Sequence, residues 1–315
     1  MTGRLVHTGQ VVLDLVMRVK ELPPVGGDVF ASHTDLHPGG GFNVMAAAAR
    51  AGGQVVYAGG HGDGRFGDLV RAALDAEGIT AALPPTPGAD TGICVVLVDD
   101  TGERTFVTGT GAESEVDAAA LAAVPVDAAD VVYVSGYSLL APDKAAVLLD
   151  RIDRLDGPTV LVDPGPLVGE VDPATWARLL DRTTILSANA REARILTGEA
   201  DPRAASAELA RRLPSTAAVI VRDGAAGCLV TRDGTTVHVP GFPVDAVDTT
   251  GAGDAHCGVL AAELLRGADL VAAATRANAA AAIAVTRPGP ATAPTRAEVD
   301  QLLSSDISRP RPPLR

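Results

Sequence analysis

The sequence predicts an α/β protein with three α/β/α layers, in which helices cover both faces of a mostly parallel central sheet. Short apolar segments alternate with Ala-, Leu- and Arg-rich stretches of helical character along the chain. The apolar segments are nearly continuous, which is typical of parallel strands that are buried on both faces. Hydrophobic residues make up 47% of the 315 residues, enough for a sizeable core.

Six apolar segments are predicted as buried strands, and five stretches between them are predicted as helices. The strands are Leu5–Thr8, Val55–Ala58, Val131–Val134, Thr159–Val162, Thr184–Leu186 and Ala218–Val221. The helices are Phe66–Glu77, Ala141–Leu155, Pro173–Leu180, Ala190–Thr197 and Ala204–Leu213. Because sheets of this kind bind ligands outside the carboxyl ends of their strands, we expect the functional site at that edge.

Two segments interrupt this alternation, at about 11–37 and 91–108. They contain β-favouring residues with polar alternation, as in Val95–Val98 and Arg104–Val107, and a turn signal at 99–102. We interpret them as antiparallel strands outside the main sheet, which form a small β lid over the strand ends. The Pro-rich, charged residues 308–315 are expected to be a flexible tail.

Composition argues against several classes of protein. The formal net charge is −13 and no long basic run is present, which argues against a nucleic-acid partner and against binding to anionic membranes. Cys94, Cys228 and Cys257 lie far apart, so they predict neither a disulfide framework nor a CxxC metal site. The longest apolar stretch, Ala279–Val285, is too short to span a bilayer, and no signal peptide is evident. These features predict a cytoplasmic protein.

The most informative motif is Asp248–Asp254, which reads Asp-Thr-Thr-Gly-Ala-Gly-Asp and precedes a predicted helix. Amides of Gly251, Ala252 and Gly253 at a helix N-terminus would form an anion hole for a phosphoryl group. Asp254 would repel that group as a ligand, but as a general base it would take a proton from an attacking hydroxyl. The alternative is an ordinary Gly-rich loop with a carboxylate that stabilises the helix N-terminus.

A second motif, Pro38–Val44, reads Pro-Gly-Gly-Gly-Phe-Asn-Val and leads into an Ala-rich helix. Together the two motifs resemble the signatures of the ribokinase-like (PfkB) family of ATP-dependent sugar and nucleoside kinases, and the similarity extends from about Val6 to about Leu303. The resemblance implies one ribokinase-like kinase domain over residues 1–307, with the β lid described above. It also implies Mg²⁺-dependent transfer of the γ-phosphoryl group of ATP to a primary hydroxyl, with Asp254 as the catalytic base and the 251–253 amides as the anion hole.

The resemblance also implies roles at other positions. Asp14, five residues after Gly9, would hold two substrate hydroxyls, and Glu192 of the Asn189–Glu192 motif would organise Mg²⁺ through water. The remaining substrate-binding positions are Gly39, Gly40, Gly41 and Asn43. The implied ATP-binding positions are Asn189, Arg222, Gly224, Gly227 and Asn278. A monovalent-cation site for K⁺ is implied at Asp248, Thr250, Ala284, Arg287, Gly289 and Ala293.

Simpler interpretations of these residues stay open. Asn43 could cap the Ala-rich helix and also bind a hydroxyl, while Glu192 could be a solvated helix acid. The chain also departs from the family pattern, with Pro38 in place of the first Gly and Ser135–Ser138 where ribokinases place a Glu. Pro288 lies in the cation loop. These departures argue against ribose as the substrate. Because Pro38–Val44 contains no Lys or Arg that could pair with a phosphate group, a free sugar or sugar acid is expected.

Three other functions compete with this one. A nucleoside kinase of the same family ranks second, because 3% aromatic residues offer little material for stacking a base. Gly59–Gly62 follows a predicted strand but lacks the GxGxxG spacing of a nicotinamide-dependent oxidoreductase. A non-catalytic sugar sensor is disfavoured by the intact Asp254, Asn189 and Glu192. A homodimer formed through the β lid is also expected.

Overall fold

The main feature of the computed structural model, which describes residues 3–307, is a nine-stranded sheet between two layers of helices. The expected flexible tail at 308–315 lies outside these residues. The strands are β1 (Leu5–His7), β2 (Val11–Arg18), β3 (His33–Gly40), β4 (Val55–Tyr57), β5 (Thr80–Ala81), β6 (Ile93–Val98), β7 (Arg104–Gly109), β8 (Val131–Ser135), β9 (Thr159–Asp163), β10 (Ile185–Asn189), β11 (Ala218–Arg222), β12 (Gly227–Arg232) and β13 (Thr235–Pro240).

The α-helices surround this sheet, and the five predicted ones begin and end within two residues of their expected positions. They are α1 (Phe42–Arg50), α2 (Arg65–Ala76), α3 (Ala118–Ala123), α4 (Pro142–Asp153), α5 (Pro173–Leu180), α6 (Ala190–Thr197), α7 (Pro202–Arg212), α8 (Ala252–Leu265), α9 (Leu270–Ala284) and α10 (Arg296–Ile307). In the described part of the chain, no helix is long and apolar enough to cross a membrane.

The central sheet has the strand order β13-β12-β11-β10-β9-β8-β1-β4-β5. The strands from β11 to β5 run parallel, and they include all six predicted strands. The predicted α/β fold with a mostly parallel sheet is confirmed. The hairpin β12–β13 adds two antiparallel strands to one edge. It was not predicted, although Asp233 and Gly234 both have positive φ and form the Asp-Gly turn that signals a hairpin.

Alternation of side chains along the parallel strands builds two cores. Leu5 and Val131 point to a core shared with α1, α2, α8 and α9, whereas Val6 and Val132 point to a core shared with α3 to α7. Small residues allow α1 and α8 to pack closely, since a Cβ on Gly258 would lie 2.3 Å from the Val44 carbonyl oxygen. This contact brings the N-terminal ends of the two motif helices together.

A second sheet contains four strands in the order β3-β2-β6-β7. The antiparallel pairing expected here is found for β2–β3 and β6–β7, but β2 and β6 pair in parallel, from Leu13 with Ile93 to Arg18 with Val98. This expectation was wrong at the central pair for a geometric reason. Both hairpins follow parallel strands, β1 and β5, so their first strands leave the same edge of the main sheet in the same direction.

Candidate active site

Helix α8 begins at Ala252, inside the Asp248–Asp254 motif. Gly251 is its N-cap residue with φ of +74°, and a Cβ there would lie 2.0 Å from the Pro290 carbonyl oxygen. Only glycine fits this left-handed, crowded position. The Ala252 N–H donates to the Thr249 carbonyl at 3.3 Å, a long bond that closes the turn. The Gly251 and Gly253 amides lie at the start of this helix, where an anion hole stays a prediction.

Asp254 is the third residue of α8 and lies beside α1. The Asn43 Nδ2 donates to Asp254 Oδ2 at 3.2 Å, which joins residues 211 positions apart in the chain. Burial, followed by the negative charge of Asp163, raises the pKa of Asp254 to about 6. A carboxylate with a pKa close to the working pH is well suited to general-base catalysis.

The Asn43 side chain does not cap α1. The N-cap residue is Gly41, Phe42 opens the helix, and no side chain bonds the first-turn amides. The expectation that Asn43 could act as a helix cap is therefore wrong, because the helix begins one residue before it. The Asn43 Oδ1 is buried and has no hydrogen-bond partner in the described residues. Asn43 thus presents one free acceptor beside Asp254.

Asp14 lies on β2 against the glycine turn at the end of β3. A Cβ on Gly39 would lie 2.0 Å from Asp14 Oδ2, so this glycine makes room for the carboxylate. Gly40 has φ of +59°, and a Cβ on Gly41 would meet the His7 ring at 2.1 Å. Burial, followed by the charge of Asp254, raises the pKa of Asp14 to about 6. The two carboxyl groups therefore belong to one site.

Asn189 and Glu192 form a capping box at the start of α6. The Asn189 Oδ1 accepts from the Glu192 N–H at 2.8 Å, and Glu192 Oε2 accepts from the Asn189 N–H at 2.8 Å. Asn189 Nδ2 also donates to Glu192 Oε1 at 2.7 Å. Glu192 is 3% exposed, so the alternative of a solvated helix acid is wrong. The spacing of these two residues is explained by the helix N-terminus.

A buried charge cluster lies beneath the α8 N-terminus. Arg222, at the end of β11, donates through Nη1 to Asp163 Oδ2 and to the Gly253 carbonyl oxygen, both at 3.1 Å. Its Nη2 lies 3.5 Å from Glu192 Oε2. Arg222 therefore connects the carboxyl ends of the parallel strands to the first turn of α8, which contains Asp254.

Asp163 is a site residue that sequence reasoning missed. It is the last residue of β9 and is 8% exposed. A usable signal was present, because an acidic residue directly after the apolar segment Thr159–Val162 falls at the strand edge where ligands bind. Because β9 is the neighbour of β10, Asp163 falls beside the predicted sites at the ends of β10 and β11, which is apparent only when the strand order is known.

The other predicted ATP-binding residues lie around the edge hairpin. Gly224 is exposed, with φ of +54°, whereas Gly227 is buried against β13, where a Cβ would lie 2.2 Å from the Val239 carbonyl oxygen. The Asn278 Nδ2 donates to the carbonyl oxygens of Val239 and Pro240 at 3.0 and 3.1 Å. Gly227 and Asn278 thus hold β13 in place, and their contact with a nucleotide stays a prediction.

The carboxylate of Asp248 is surrounded by protein donors. Arg104 Nη2, from β7 of the second sheet, lies 2.8 and 2.7 Å from its two oxygens. The Thr250 N–H donates to Asp248 Oδ1 at 2.9 Å, and the Gly289 N–H donates to Oδ2 at 3.0 Å. The strongest expected ligand of a K⁺ ion is therefore bound to a guanidinium.

Backbone oxygens of the expected K⁺ site are engaged as well. The Ala284 carbonyl accepts from Thr292 Oγ1 at 3.0 Å, and the Ala293 carbonyl accepts from Arg50 Nη1 at 3.2 Å. Arg287 pairs with Glu298. These backbone oxygens already accept hydrogen bonds from the protein, and binding of K⁺ at this position stays a prediction. Among residues 3–307, no group of three or more His, Cys, Asp or Glu side chains is arranged to hold a metal ion.

A cleft of about 270 Å³ separates the second sheet from the loop at 288–290. The cleft has Asp14 at one end and Arg18 further along the same strand. Its lining residues are Asp14, Val16, Arg18, His33, Asp35, His37, Val96, Val98, Arg104, Phe106, Asp248, Thr250, Pro288, Gly289 and Pro290. The loop before α8 borders the cleft through Asp248 and Thr250, whereas Asn43 and Asp254 are not among the lining residues.

The chain is similar to known proteins over most of its length. Residues 3–296 match the model of the pfkB family carbohydrate kinases. The chain is 31% identical over 297 residues to the uncharacterized sugar kinase YegV of Escherichia coli, with 92% of this chain and 91% of that protein covered. It is 32% identical over 305 residues to the ATP-dependent ribose-1-phosphate kinase of Halopiger xanaduensis, with 96% and 98% covered. The ribokinase structure from Thermotoga maritima superposes with a TM-score of 0.81 at 26% identity, covering 96% and 99%.

Proposed function

Because the chain belongs to the PfkB family of carbohydrate kinases, which are ATP-dependent phosphotransferases, we propose that it phosphorylates a primary hydroxyl of a free sugar or sugar acid. One observation carries the proposal. Asp254, whose pKa burial raises to about 6, stands at the N-terminus of α8 in the same site as Asp14. The arrangement combines a base, an anion hole and a carboxylate for hydroxyl groups.

In the proposed reaction, Asp14 accepts hydrogen bonds from substrate hydroxyls and orients the primary hydroxyl toward Asp254. Asp254 accepts the hydroxyl proton as the new O–P bond forms and the bond from the γ-phosphorus to the bridging oxygen breaks, which releases ADP. Amides of residues 251–253 and the dipole of α8 stabilise the negative charge on the transferring group. Positioning and charge stabilisation supply most of the catalysis in phosphoryl transfer.

The residues beside the anion hole fit a bound Mg-ATP. Asp163 and Glu192 are two carboxylates that share one guanidinium, that of Arg222, so the cluster has an excess of acidic groups. A divalent cation bound with the phosphates would relieve this excess. We propose that Glu192 holds Mg²⁺ through water, with Asp163 close by, and that Asn189 and Arg222 border the phosphates. When bound, Mg²⁺ would neutralise charge on the phosphoryl oxygens.

Activity should decline in mild acid. A raised carboxyl pKa means that the group takes up its proton at a higher pH than an exposed Asp, so the basic form of Asp254 is lost as the pH falls through about 6. Burial and the charge of Asp254 raise the pKa of Asp14 to about 6, so Asp14 loses its charge over the same pH range. We expect kcat/KM to be constant above about pH 7 and to fall below about pH 6, with a slope greater than one. A profile that stays flat to pH 5 would contradict the assignment of both carboxylates.

The charges in the cleft favour a substrate without a phosphate group. Arg104 is paired with Asp248, and His33 lies 2.9 Å from Asp35, so both side chains already have a carboxylate partner. Arg18 is four residues from Asp14 along β2, which corresponds to about 13 Å. A phosphate dianion on a sugar held by Asp14 would therefore be desolvated next to a carboxylate and far from a partner, which is costly.

The proposal is tested by measuring kcat/KM with Mg-ATP for free sugars, sugar acids, nucleosides and sugar phosphates. We expect at least one uncharged or monocarboxylate substrate to exceed every sugar phosphate by about tenfold or more, because an unpaired buried phosphate costs free energy. Higher kcat/KM for a phosphorylated sugar would contradict the proposal. It would place this chain with its ribose-1-phosphate kinase relative and assign Arg104 to the phosphate.

A nucleoside kinase is the second candidate, and one feature of the cleft favours it. Five of the residues that line the cleft are apolar: Val16, Val96, Val98, Phe106 and Pro290. An apolar wall of this kind is suited to a nucleobase, whose faces carry no hydrogen-bonding groups. In the same panel, a nucleoside that exceeds all free sugars would favour this candidate over the first.

A further inference from the structure

The ion pair of Arg104 with Asp248 connects the second sheet to the loop that builds the anion hole. Arg104 is the first residue of β7, while Asp248 lies 144 residues later and begins the motif that ends at Asp254. The Asp248 side chain is 9% exposed and that of Arg104 is 26% exposed, so most of this contact is shielded from water. It is also the contact that holds the guanidinium over the cleft.

The Asp248 carboxylate organises two loops at once. Its oxygens accept from the Thr250 N–H, which precedes the Gly251 turn, and from the Gly289 N–H of the loop at 288–290. Arg104 Nη2 contacts both oxygens of the same carboxylate, at 2.8 and 2.7 Å, so the two loops and β7 meet at Asp248. An ionised carboxylate in such a shielded place needs a nearby cation.

We propose that Arg104 is that cation: its guanidinium, delivered by β7, neutralises Asp248 in place of a monovalent metal ion and fixes the loops that shape the anion hole. The inference rests on the proposed function, since it assigns Arg104 as a positioning residue for phosphoryl transfer. It follows that the enzyme needs no alkali-metal ion, because the charge that K⁺ would supply is part of the chain. It also follows that β7 must be in place before the anion hole is fully ordered.

The test compares rates of phosphoryl transfer in the chlorides of K⁺, Na⁺, Li⁺ and tetramethylammonium at matched ionic strength. We expect wild-type rates to agree within about twofold, since no site selects among these cations. Arg104→Gln should be slower by about tenfold or more in tetramethylammonium, because it leaves a shielded carboxylate unpaired, and K⁺ should restore much of the loss. Arg104→Lys, which retains the charge, should stay nearer to wild type.

The matched control is Arg178→Gln. Arg178 pairs with Asp150 and Asp153 on the surface, remote from the cleft. The substitution therefore removes an arginine–carboxylate pair without affecting the site. This variant should behave like wild type in all four salts, because exposed ion pairs contribute little. A salt dependence common to both variants would mean that the effect belongs to surface charge and would overturn the proposal.

Thermal unfolding supplies a readout that needs no sugar substrate. The wild-type Tm should be the same in potassium and tetramethylammonium chloride, whereas the Tm of Arg104→Gln should be lower and should rise selectively with K⁺. A K⁺-selective rise in the wild-type Tm or rate would overturn the proposal, and so would an Arg104→Gln variant that is indifferent to cations and as active as wild type. If Arg104→Gln does not fold, the comparison of wild-type rates and Tm values among the salts still tests the proposal. Absence of kinase activity would refute the proposed function while leaving the Tm comparison intact.

Discussion

Asp254→Asn should abolish most of the phosphoryl transfer while preserving the fold. Asparagine has the same shape and can still accept the hydrogen bond that Asn43 Nδ2 donates at 3.2 Å, but it cannot take up the hydroxyl proton. We expect kcat to fall by about 10²- to 10⁴-fold, the usual contribution of a positioned general base. The measurement is kcat at saturating Mg-ATP and sugar, together with the Kd of ATP, which should change little.

The matched control is Asp269→Asn. Asp269 also lies at a helix N-terminus, where its side chain accepts from the Val271 and Ala272 amides at the start of α9. Asparagine is an equally good cap, so this variant should keep its rate within about twofold. If Asp254→Asn retained more than about a tenth of the wild-type rate, Asp254 would be only a stabilising charge at the helix N-terminus.

Arg222→Met should cause the second large effect, in this case on stability. The substitution removes the cation that pairs with Asp163 and Glu192 and leaves both carboxylates buried beneath α8. Removing one partner of a buried ion pair typically costs about 3–5 kcal/mol, because the remaining charge has no compensation. Urea denaturation should therefore show a clearly lower midpoint at pH 7 with an unchanged slope.

Two further variants test whether the loss of stability comes from the buried charge cluster. Arg178→Met removes an exposed pair with Asp150 and Asp153 and should cost no more than about 1 kcal/mol. Adding Asp163→Asn to Arg222→Met removes one unpaired charge and should recover part of the lost stability. If Arg222→Met lowered the free energy of unfolding by less than about 1 kcal/mol, water would be compensating the charges of Asp163 and Glu192, and the cluster would not be a buried structural centre.

Much of the fold was predictable because the parallel strands carry a strong local signal. Segments such as Val131–Val134 are apolar at every position, which only a strand buried on both faces requires. The hairpin β12–β13 was missed because it lies at the edge, where β13 is largely exposed and its apolar pattern is weak. The parallel pairing of β2 and β6 depends on where each hairpin leaves the main sheet, which no local pattern reports.

The site was predictable where a motif is contiguous in the chain, and not where it is assembled from distant residues. The turn at Gly251 and the start of α8 follow from local backbone chemistry. Asp163 contacts Arg222 only because β9 and β11 flank β10 in the sheet. The pairing of Asp248 with Arg104 was unpredictable for the same reason, since it spans 144 residues and depends on the orientation of the second sheet.

The central claim is that this chain transfers the γ-phosphoryl group of ATP to a primary hydroxyl of a sugar without a phosphate of its own. Identification of the product by ³¹P NMR tests it most directly, with wild-type enzyme, Mg-ATP and the best substrate of the panel. We predict one new phosphomonoester signal, coupled to the two protons of a CH₂ group and formed in equal amount to ADP. Inorganic phosphate in place of the ester, or a phosphate coupled to a single ring proton, would contradict the account.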